Sequence, residues 1–248
     1  MLHILLPMAG AGSRFTKAGY QTPKPMLPID GIPMVIKAVQ MLPEAEKHTF
    51  ILTEDYIQKY GIDKSITQYF PGSSFVSLNY LTEGQASTCL LAKDKINNDD
   101  ELIIAACDNG MVYNSSAFEK LKIGTDAIIF TFRNNLTVLE NPDAYGWVST
   151  TNDDVIGVSV KKHLSEEPMT DHAIVGTFWF KKGEYFVKAA EKMIAENRRI
   201  NNEFYVDECM QDLLDLGHNV KVFEIEEYIC WGTPSDYEAY LASKKRKS

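Results

Sequence analysis

Short apolar runs alternating with helical patterns through the first half of the chain constrain the fold more than any other feature. His3-Ile4-Leu5-Leu6 reads as a buried strand, and Pro33 to Leu42 as a helix with proline in its first turn. Thr49 to Thr53 and Ser74 to Tyr80 read as the next strands. Gln85 to Lys95 reads as a helix, and Glu101 to Ala106 as a central strand ending at Cys107-Asp108. Such a β-α-β-α-β rhythm implies a parallel sheet, because each crossover lays its helix on one face or the other. The pattern changes at about Asp126. Ala127 to Phe132, Tyr145 to Thr151, Val155 to Val160 and Ile174 to Phe180 read as strands with little helix between them. Asn152-Asp153-Asp154 is a hairpin turn between two of these. Helices return at Glu184 to Asn197 and Val206 to Leu216, followed by a strand from Asn219 to Ile225 and a last helix from Pro234. The expected architecture is α/β: a Rossmann-like, three-layer mixed sheet with helices on both faces and a small β-rich lobe. No repeat or linker interrupts residues 1–248, so a single domain is expected, with halves meeting near residues 125 and 126.

With 248 residues and 45% apolar composition, the chain can bury a full core. Its formal net charge of −9 argues against general affinity for nucleic acid, while leaving room for a local basic pocket. No apolar run approaches the roughly 20 residues that span a bilayer. The opening MLHILLPMAG lacks a basic n-region and runs into a glycine loop, so no signal peptide is expected. Cys89, Cys107, Cys209 and Cys230 form no Cys-x-x-Cys pair, which suits reduced thiols. The expectation is a soluble cytoplasmic enzyme with no nucleic-acid or membrane partner, its oligomeric state open and a homo-oligomer possible.

The first strand runs directly into Leu6-Pro7-Met8-Ala9-Gly10-Ala11-Gly12-Ser13-Arg14-Phe15. Two glycines let the backbone pass close to a ligand and turn its N–H groups toward phosphate oxygens. Ligands of open α/β sheets gather beyond the carboxyl ends of the strands, which is where this loop lies. A dinucleotide fingerprint fails, because its third glycine position holds Phe15, and a Walker A loop fails for want of Gly-Lys-Ser/Thr. Instead the loop carries Arg14, and Thr22-Pro23-Lys24-Pro25-Met26-Leu27 follows. Arginine grips polyphosphate in a bidentate way, and lysine adds a compact charge.

Gly-x-Gly-Ser-Arg-Phe followed by Pro-Lys-Pro-Met-Leu-Pro-Ile-Asp-Gly-Ile-Pro-Met resembles the signature of the sugar-phosphate nucleotidyltransferases, the GT-A-like pyrophosphorylases, over residues 4 to 38. That family joins a nucleoside triphosphate to a small phosphomonoester, a sugar 1-phosphate or a phosphocholine-like acceptor, and releases pyrophosphate. The resemblance implies a nucleotide-binding half over about 1–125, an acceptor-binding half over about 126–248, magnesium as cofactor and a place in polysaccharide precursor synthesis. It also implies that Ala9, Gly10, Ala11, Gly12 and Ser13 shape the nucleotide loop, that Arg14 holds the departing pyrophosphate, and that Lys24 holds the triphosphate or the incoming phosphate.

Further segments resemble the family in the same order. Glu83-Gly84-Gln85-Ala86-Ser87-Thr88 is similar to a segment whose backbone lies against the nucleobase, which implies nucleotide contacts from Glu83, Gly84 and Ser87. Asp108, at the end of a buried strand, falls where the family has a metal-binding aspartate, and a carboxylate there suits Mg2+. Tyr145-Gly146-Trp147-Val148 resembles a segment whose glycine lies under the acceptor. Lys162, or failing it Lys161, matches a lysine on the acceptor phosphate, and strand alternation admits only one of the two to a site. Gly176 falls near the acceptor, and Glu203 either hydrogen-bonds an acceptor group or caps the next helix.

One departure stands out. Cys230-Trp231-Gly232-Thr233-Pro234 resembles a segment that usually begins with a second metal-binding aspartate, and here that position is Cys230. Magnesium is a hard ion and does not favour a thiol. Either another acid (Glu203, Asp207 or Glu227) substitutes, or phosphate and water complete the shell, or catalysis is lost. Two other classes therefore stay open: a glycosyltransferase of similar fold, which would need an Asp-x-Asp motif, and a non-catalytic nucleotide sensor.

Overall fold

The apolar run at the N-terminus forms β1 (Leu2–Pro7), and its side chains divide between two cores. Ile4 and Leu6 point into one, Leu5 into the other, as the two-residue period of a strand requires. The computed structural model describes residues 1–10 and 12–245. After β1 come β2 (Pro28–Ile29), β3 (Ile32–Pro33), β4 (Lys47–Thr53), β5 (Ser74–Leu78), β6 (Glu101–Ala105) and β7 (Asn109–Val112). The second half supplies β8 (Ala127–Phe132), β9 (Gly146–Thr151), β10 (Asp154–Val160), β11 (His172–Phe180), β12 (Val220–Glu224) and β13 (Glu227–Cys230).

Nine of these form one sheet in the order β5-β4-β1-β6-β11-β8-β12-β10-β9. The first four are mutually parallel. β11 then enters antiparallel to both β6 and β8, and β12 lies parallel to β8. The hairpin β9–β10 closes the far edge through the turn at Asn152 and Asp153, with Thr151 opposite Asp154. The sheet is therefore mixed, as expected, and the β-rich second half is continuous with it: β8 and β11 are central strands. All six residues of β8 are buried, so a strand covered on both faces reads as one apolar run.

Helices cover both faces. On one side Val35, Ile36 and Val39, with Ile62, Ile66 and Phe118, pack against Phe50, Ile103 and Trp179. On the other, Ala86, Cys89, Phe186, Ala190, Met210 and Leu213 pack against Ile51, Ile104 and Phe178. A third, smaller core joins Phe15, Leu27, Ile29 and Met34 to Trp231 and Tyr237, fastening the C-terminal helix Pro234–Lys245 beside the N-terminal loop. No helix among the described residues is long and apolar enough to cross a membrane.

The structure departs from the sequence pattern in a few places. The helix read over Gln85 to Lys95 is two, Gln85–Leu90 and Lys93–Ile96. The amides of Leu91 and Ala92 bond to Thr88 and Cys89 (3.1 and 3.0 Å), tightening the ladder to three-residue spacing and ending the first helix. Helices at Glu54–Tyr60 and Ser115–Leu121 bury at most one residue each and do not signal themselves by period, whereas Ile62–Tyr69, not read from the sequence, buries Ile62 and Ile66 one turn apart. The ribbon β7–β13 pairs Asn109 with Cys230, a long-range match with no local signature.

His3 sits in the sheet with Nε2 2.8 Å from Thr49 Oγ1 and Nδ1 buried without a partner. Burial, aided by Lys47, lowers its pKa from 6.5 to about 4. The unfolded chain takes up the proton near pH 6.5 while the folded chain resists it, so this stability is complete above pH 6.5 and lost as pH falls toward 4. The swing amounts to about 3 kcal/mol at most. His3→Gln should flatten urea-unfolding stability between pH 6.5 and 4 relative to the native chain; an unchanged slope would place the acid sensitivity elsewhere.

Candidate functional site

β1 and β4 are parallel, with Pro7 opposite Ile51, so the segments leaving them emerge at the same edge of the sheet. The Met8 amide donates to the Ile51 carbonyl (2.8 Å) and steers the loop between the two strands. Gly12 then adopts φ 58° and ψ 20°, a left-handed turn that starts the short helix Ser13–Lys17. The loop borders a cavity of about 460 Å³ lined by Ala9, Gly10, Gly12, Ser13 and Arg14, by Lys24, Gly84 and Asp108, and by Glu203. Ala11 lies outside the described residues.

Lys24 stands in a tight 3-10 turn between Pro23 and Pro25. Its ammonium, 13% exposed, is ion-paired to Asp108 Oδ2 and donates to the Gly232 carbonyl at 3.0 Å. Asp108 follows β6 and stays 26% exposed, open to the cavity on its free side. The Trp231 amide bonds to the Asp108 carbonyl at 2.9 Å, locking this turn to the segment after β13. The sequence placed both residues at the site, but not as partners of each other.

Cys230 lies close by: a methyl group added at Gly232 would sit 3.5 Å from both Asp108 Oδ2 and Cys230 Sγ. Sγ donates to Asp236 Oδ2 (3.4 Å) and accepts from the Gly232 amide (3.4 Å). Burial, reinforced by the Asp236 and Asp108 carboxylates, pushes its pKa up to about 12, so the group is a thiol. Asp236 is itself engaged in a capping box, accepting from the Thr233 amide (3.1 Å) while its own amide bonds Thr233 Oγ1 (3.2 Å). Of the substitute acids, Glu203 lines the cavity, Asp207 lies against Gly146, and Glu227 sits at the other end of β13 opposite Val112. No cluster of three or more His, Cys, Asp or Glu able to hold a metal occurs among the described residues. The donor set is thus one carboxylate, Asp108, which suits a magnesium ion completed by phosphate oxygens and water.

Of the residues the sequence suggested for the acceptor, Glu203 lines the cavity, while Gly146, Lys161, Lys162 and Gly176 lie outside its lining. Lys161 ends β10 in a left-handed turn (φ 58°); its amine bonds the Ala144 carbonyl and lies 5.6 Å from the centre of the Tyr205 ring. Burial lowers its pKa, against the pull of Asp207 and with the help of Arg14. Lys162 is exposed, and its carbonyl accepts from Ser159 Oγ at 2.6 Å. Of the two lysines, Lys161 is the one drawn toward Arg14, Asp207 and Glu203. Any side chain at Gly146 would overlap Asp207 Oδ1. Burial raises the pKa of that carboxyl, partly offset by Lys161. Gly176 lies within β11 beside Ala106, whose amide donates to its carbonyl at 3.0 Å. Glu203 provides no side-chain cap to the helix Val206–Asp215.

Gln85 and Thr88 line the cavity from one face of their helix, whereas Ser87 and Glu83 lie off it. Glu83 pairs with Arg199 at 2.9 Å. The close approach that Gly84 allows is made by protein: a methyl there would lie 2.5 and 2.6 Å from the Phe204 amide nitrogen and carbonyl oxygen. Phe204 donates to the Glu83 carbonyl (2.8 Å) and accepts from the Ala86 amide (2.9 Å), and the Arg199 guanidinium lies 4.2 Å over its ring. Gly84 thus docks the loop that carries Glu203 onto the segment before Gln85. Tyr56, Leu81, Thr82, Gln85 and Thr88 also line the cavity; Gln85 and Thr88 lie in the segment Glu83 to Thr88, where the resemblance assigns them no contact, and Tyr56, Leu81 and Thr82 belong to no motif.

Gly84→Ala should cost about 1–3 kcal/mol, because its φ of 120° adds backbone strain to the collision. Thermal unfolding should report the loss, and trypsin should cut faster at Arg198 and Arg199. An unaltered melting curve with unaltered cleavage would show that the Phe204 contact holds nothing in place.

Similar proteins bear on the same arrangement. No curated protein matches the chain. The nucleoside-diphosphate-sugar pyrophosphorylase of Vibrio cholerae is similar in structure, with a TM-score of 0.76 at 22% identity over 96% of this chain and 99% of that one. The inositol-1-phosphate CTP transferase of T. maritima (TM-score 0.73, 15% identity, 99% and 96% covered) and a UDP-glucose pyrophosphorylase from Acinetobacter baumanii (0.72, 17%, 98% and 93%) share the fold. The family described as nucleotidyl transferase matches residues 4–240, from β1 through the glycine loop, Lys24, Asp108 and into the last helix, and the chain belongs to that family.

Proposed function

We propose that the chain transfers a nucleoside monophosphate from a nucleoside triphosphate to a small phosphomonoester, a sugar 1-phosphate or phosphocholine-like acceptor, with release of pyrophosphate. The observation that carries this reading is the convergence of the glycine loop, Arg14, Lys24 and Asp108 on one cavity of about 460 Å³. Residues 1–125 would then hold the nucleotide and residues 126–248 most of the acceptor site. Activated building blocks for surface polysaccharide are the fitting product class, and the cytoplasm the fitting compartment.

In this reading an oxygen of the acceptor phosphate attacks the α-phosphorus in line, and the bond to the bridging oxygen of the leaving pyrophosphate breaks. A phosphomonoester is already an anion, so positioning and charge neutralisation supply the catalysis. Ala9, Gly10, Gly12 and Ser13 would cradle the triphosphate, with Arg14 on the departing pyrophosphate. Lys24 would exchange its bond to Asp108 for a phosphate oxygen. Lys161 takes the acceptor-phosphate role in preference to Lys162 on the geometry above, with Gly146, Gly176 and Glu203 around the acceptor. Magnesium, held by Asp108, would neutralise charge on the phosphates.

The glycosyltransferase alternative lacks support at its own motif: Asn109 is 7% exposed and donates to the Val175 carbonyl at 2.8 Å, so Asp108-Asn109 offers one metal ligand.

Pyrophosphate release should be assayed with CTP, UTP, GTP, ATP and dTTP and magnesium against a panel of phosphorylated acceptors. One triphosphate and one acceptor should give turnover, and Asp108→Asn should lower it by about a thousandfold or more. Silence across the panel with triphosphate binding intact would replace the transferase with a sensor. Cys230→Asp should lower the magnesium concentration for half-maximal rate; a rise or no change would show that phosphate and water already complete the shell.

A further inference from the structure

Tyr56 belongs to no motif, yet its side chain enters the cavity beside Gly12, Ser13 and Arg14. It stands in the first turn of the helix Glu54–Tyr60, which leaves β4 at the edge where the glycine loop leaves β1. Its hydroxyl lies 3.9 Å from the point a methyl on Gly12 would occupy, directly against the loop. The ring is half-buried against the core beneath the sheet edge, which fixes where the hydroxyl points. Other phenols in the protein reach acceptors: Tyr237 the Pro28 carbonyl at 3.1 Å, Tyr240 the Asp30 carboxylate at 3.0 Å, Tyr20 Glu238 at 2.9 Å. Among the described residues Tyr56 Oη has no such partner, and it is left to the cavity. The hydroxyl is not among the buried polar atoms and faces the open cavity, where a ligand acceptor would take the place of water.

We propose that Tyr56 donates a hydrogen bond to the pyrophosphate portion of the bound triphosphate, as a phosphate-binding residue acting beside Arg14; this rests on the nucleotidyltransferase reading. Phosphate oxygens are acceptors only, so a phenol that keeps its proton is the matching group. Burial pushes the Tyr56 phenol up to about 12, with Cys107 and Tyr60 adding to the shift, so it remains a donor at working pH. As the bond to the α-phosphorus breaks, its electron pair passes to the bridging oxygen of the leaving pyrophosphate. Charge on that group rises, and the hydrogen bond strengthens without transfer of its proton. The contact is therefore stronger in the transition state than in the ground state and acts mainly on kcat.

The test compares the native protein, Tyr56→Phe and Tyr60→Phe, the last an exposed phenol of the same helix. Binding of inorganic pyrophosphate with magnesium is measured by calorimetry, and steady-state rates with the active substrate pair. Tyr56→Phe should weaken pyrophosphate by about tenfold and lower kcat by a similar factor, with acceptor KM and melting temperature unchanged. Tyr60→Phe should change neither. Pyrophosphate affinity equal in native and Tyr56→Phe proteins, or no binding by the native protein, overturns the proposal. Turnover by the native protein alongside that equality would leave the transferase reading standing. Tyr56-dependent pyrophosphate binding without turnover of any substrate pair would sink the transferase reading and keep Tyr56 as a polyphosphate ligand.

Discussion

The ammonium of Lys24 joins three segments that are distant in sequence: its own turn, Asp108 84 residues on, and Gly232 208 residues on. The arrangement of the cavity follows from that junction. It sets the proline-flanked turn against the end of β6, and it brings the C-terminal segment to the N-terminal loop, where Phe15, Trp231 and Tyr237 close a small core behind it. Pairing also solves an electrostatic problem. A carboxylate at the mouth of a buried strand is costly to leave alone, and a lysine mostly removed from water is costlier still. Together they offset each other. A chain with a formal charge of −9 in this way keeps a charged lysine in the wall of its cavity without being basic overall.

Much of this was legible in the sequence because the relevant signals are local. The buried strands announce themselves as apolar runs, and the loop after β1 by its glycines and Arg14. What stayed hidden depends on contacts across the fold. Gly84 reads as a residue that makes room for a ligand, and only the structure shows that Phe204, 120 positions away, fills that room with its own backbone. Lys161 and Lys162 are adjacent and chemically alike; the left-handed turn at Lys161, set by how β10 ends against Tyr145, decides which one turns inward. Tyr56 carries no pattern at all, since a lone aromatic in a short helix looks the same whether it faces core, solvent or cavity.

Cys230 illustrates how a single substitution is absorbed by its surroundings. The thiol is not left idle: it bridges the Gly232 amide and the Asp236 carboxylate, and Asp236 in turn caps the final helix. The thiol thus belongs to the structural network of the C-terminal segment, while Asp108 faces the cavity. A thiol in place of a carboxylate lowers the negative charge at this end of the cavity, and Lys24 offsets the Asp108 carboxylate that remains.

The hydrogen bonds of Phe204 to Glu83 and Ala86 have a consequence for any reshaping of this side of the cavity. They fix the register of the loop like a clasp, so insertions or deletions between Glu203 and Val206 would pull the clasp apart. Upstream of it Asn197, Asn201 and Asn202 adopt left-handed conformations, while Arg198 and Arg199 between them tie the segment to Asp212, Glu208 and Glu83. Side-chain changes confined to Asn201 and Asn202, with Gly84, Arg198, Arg199 and Phe204 left in place, would reshape the rim beside Glu203 without loosening the loop.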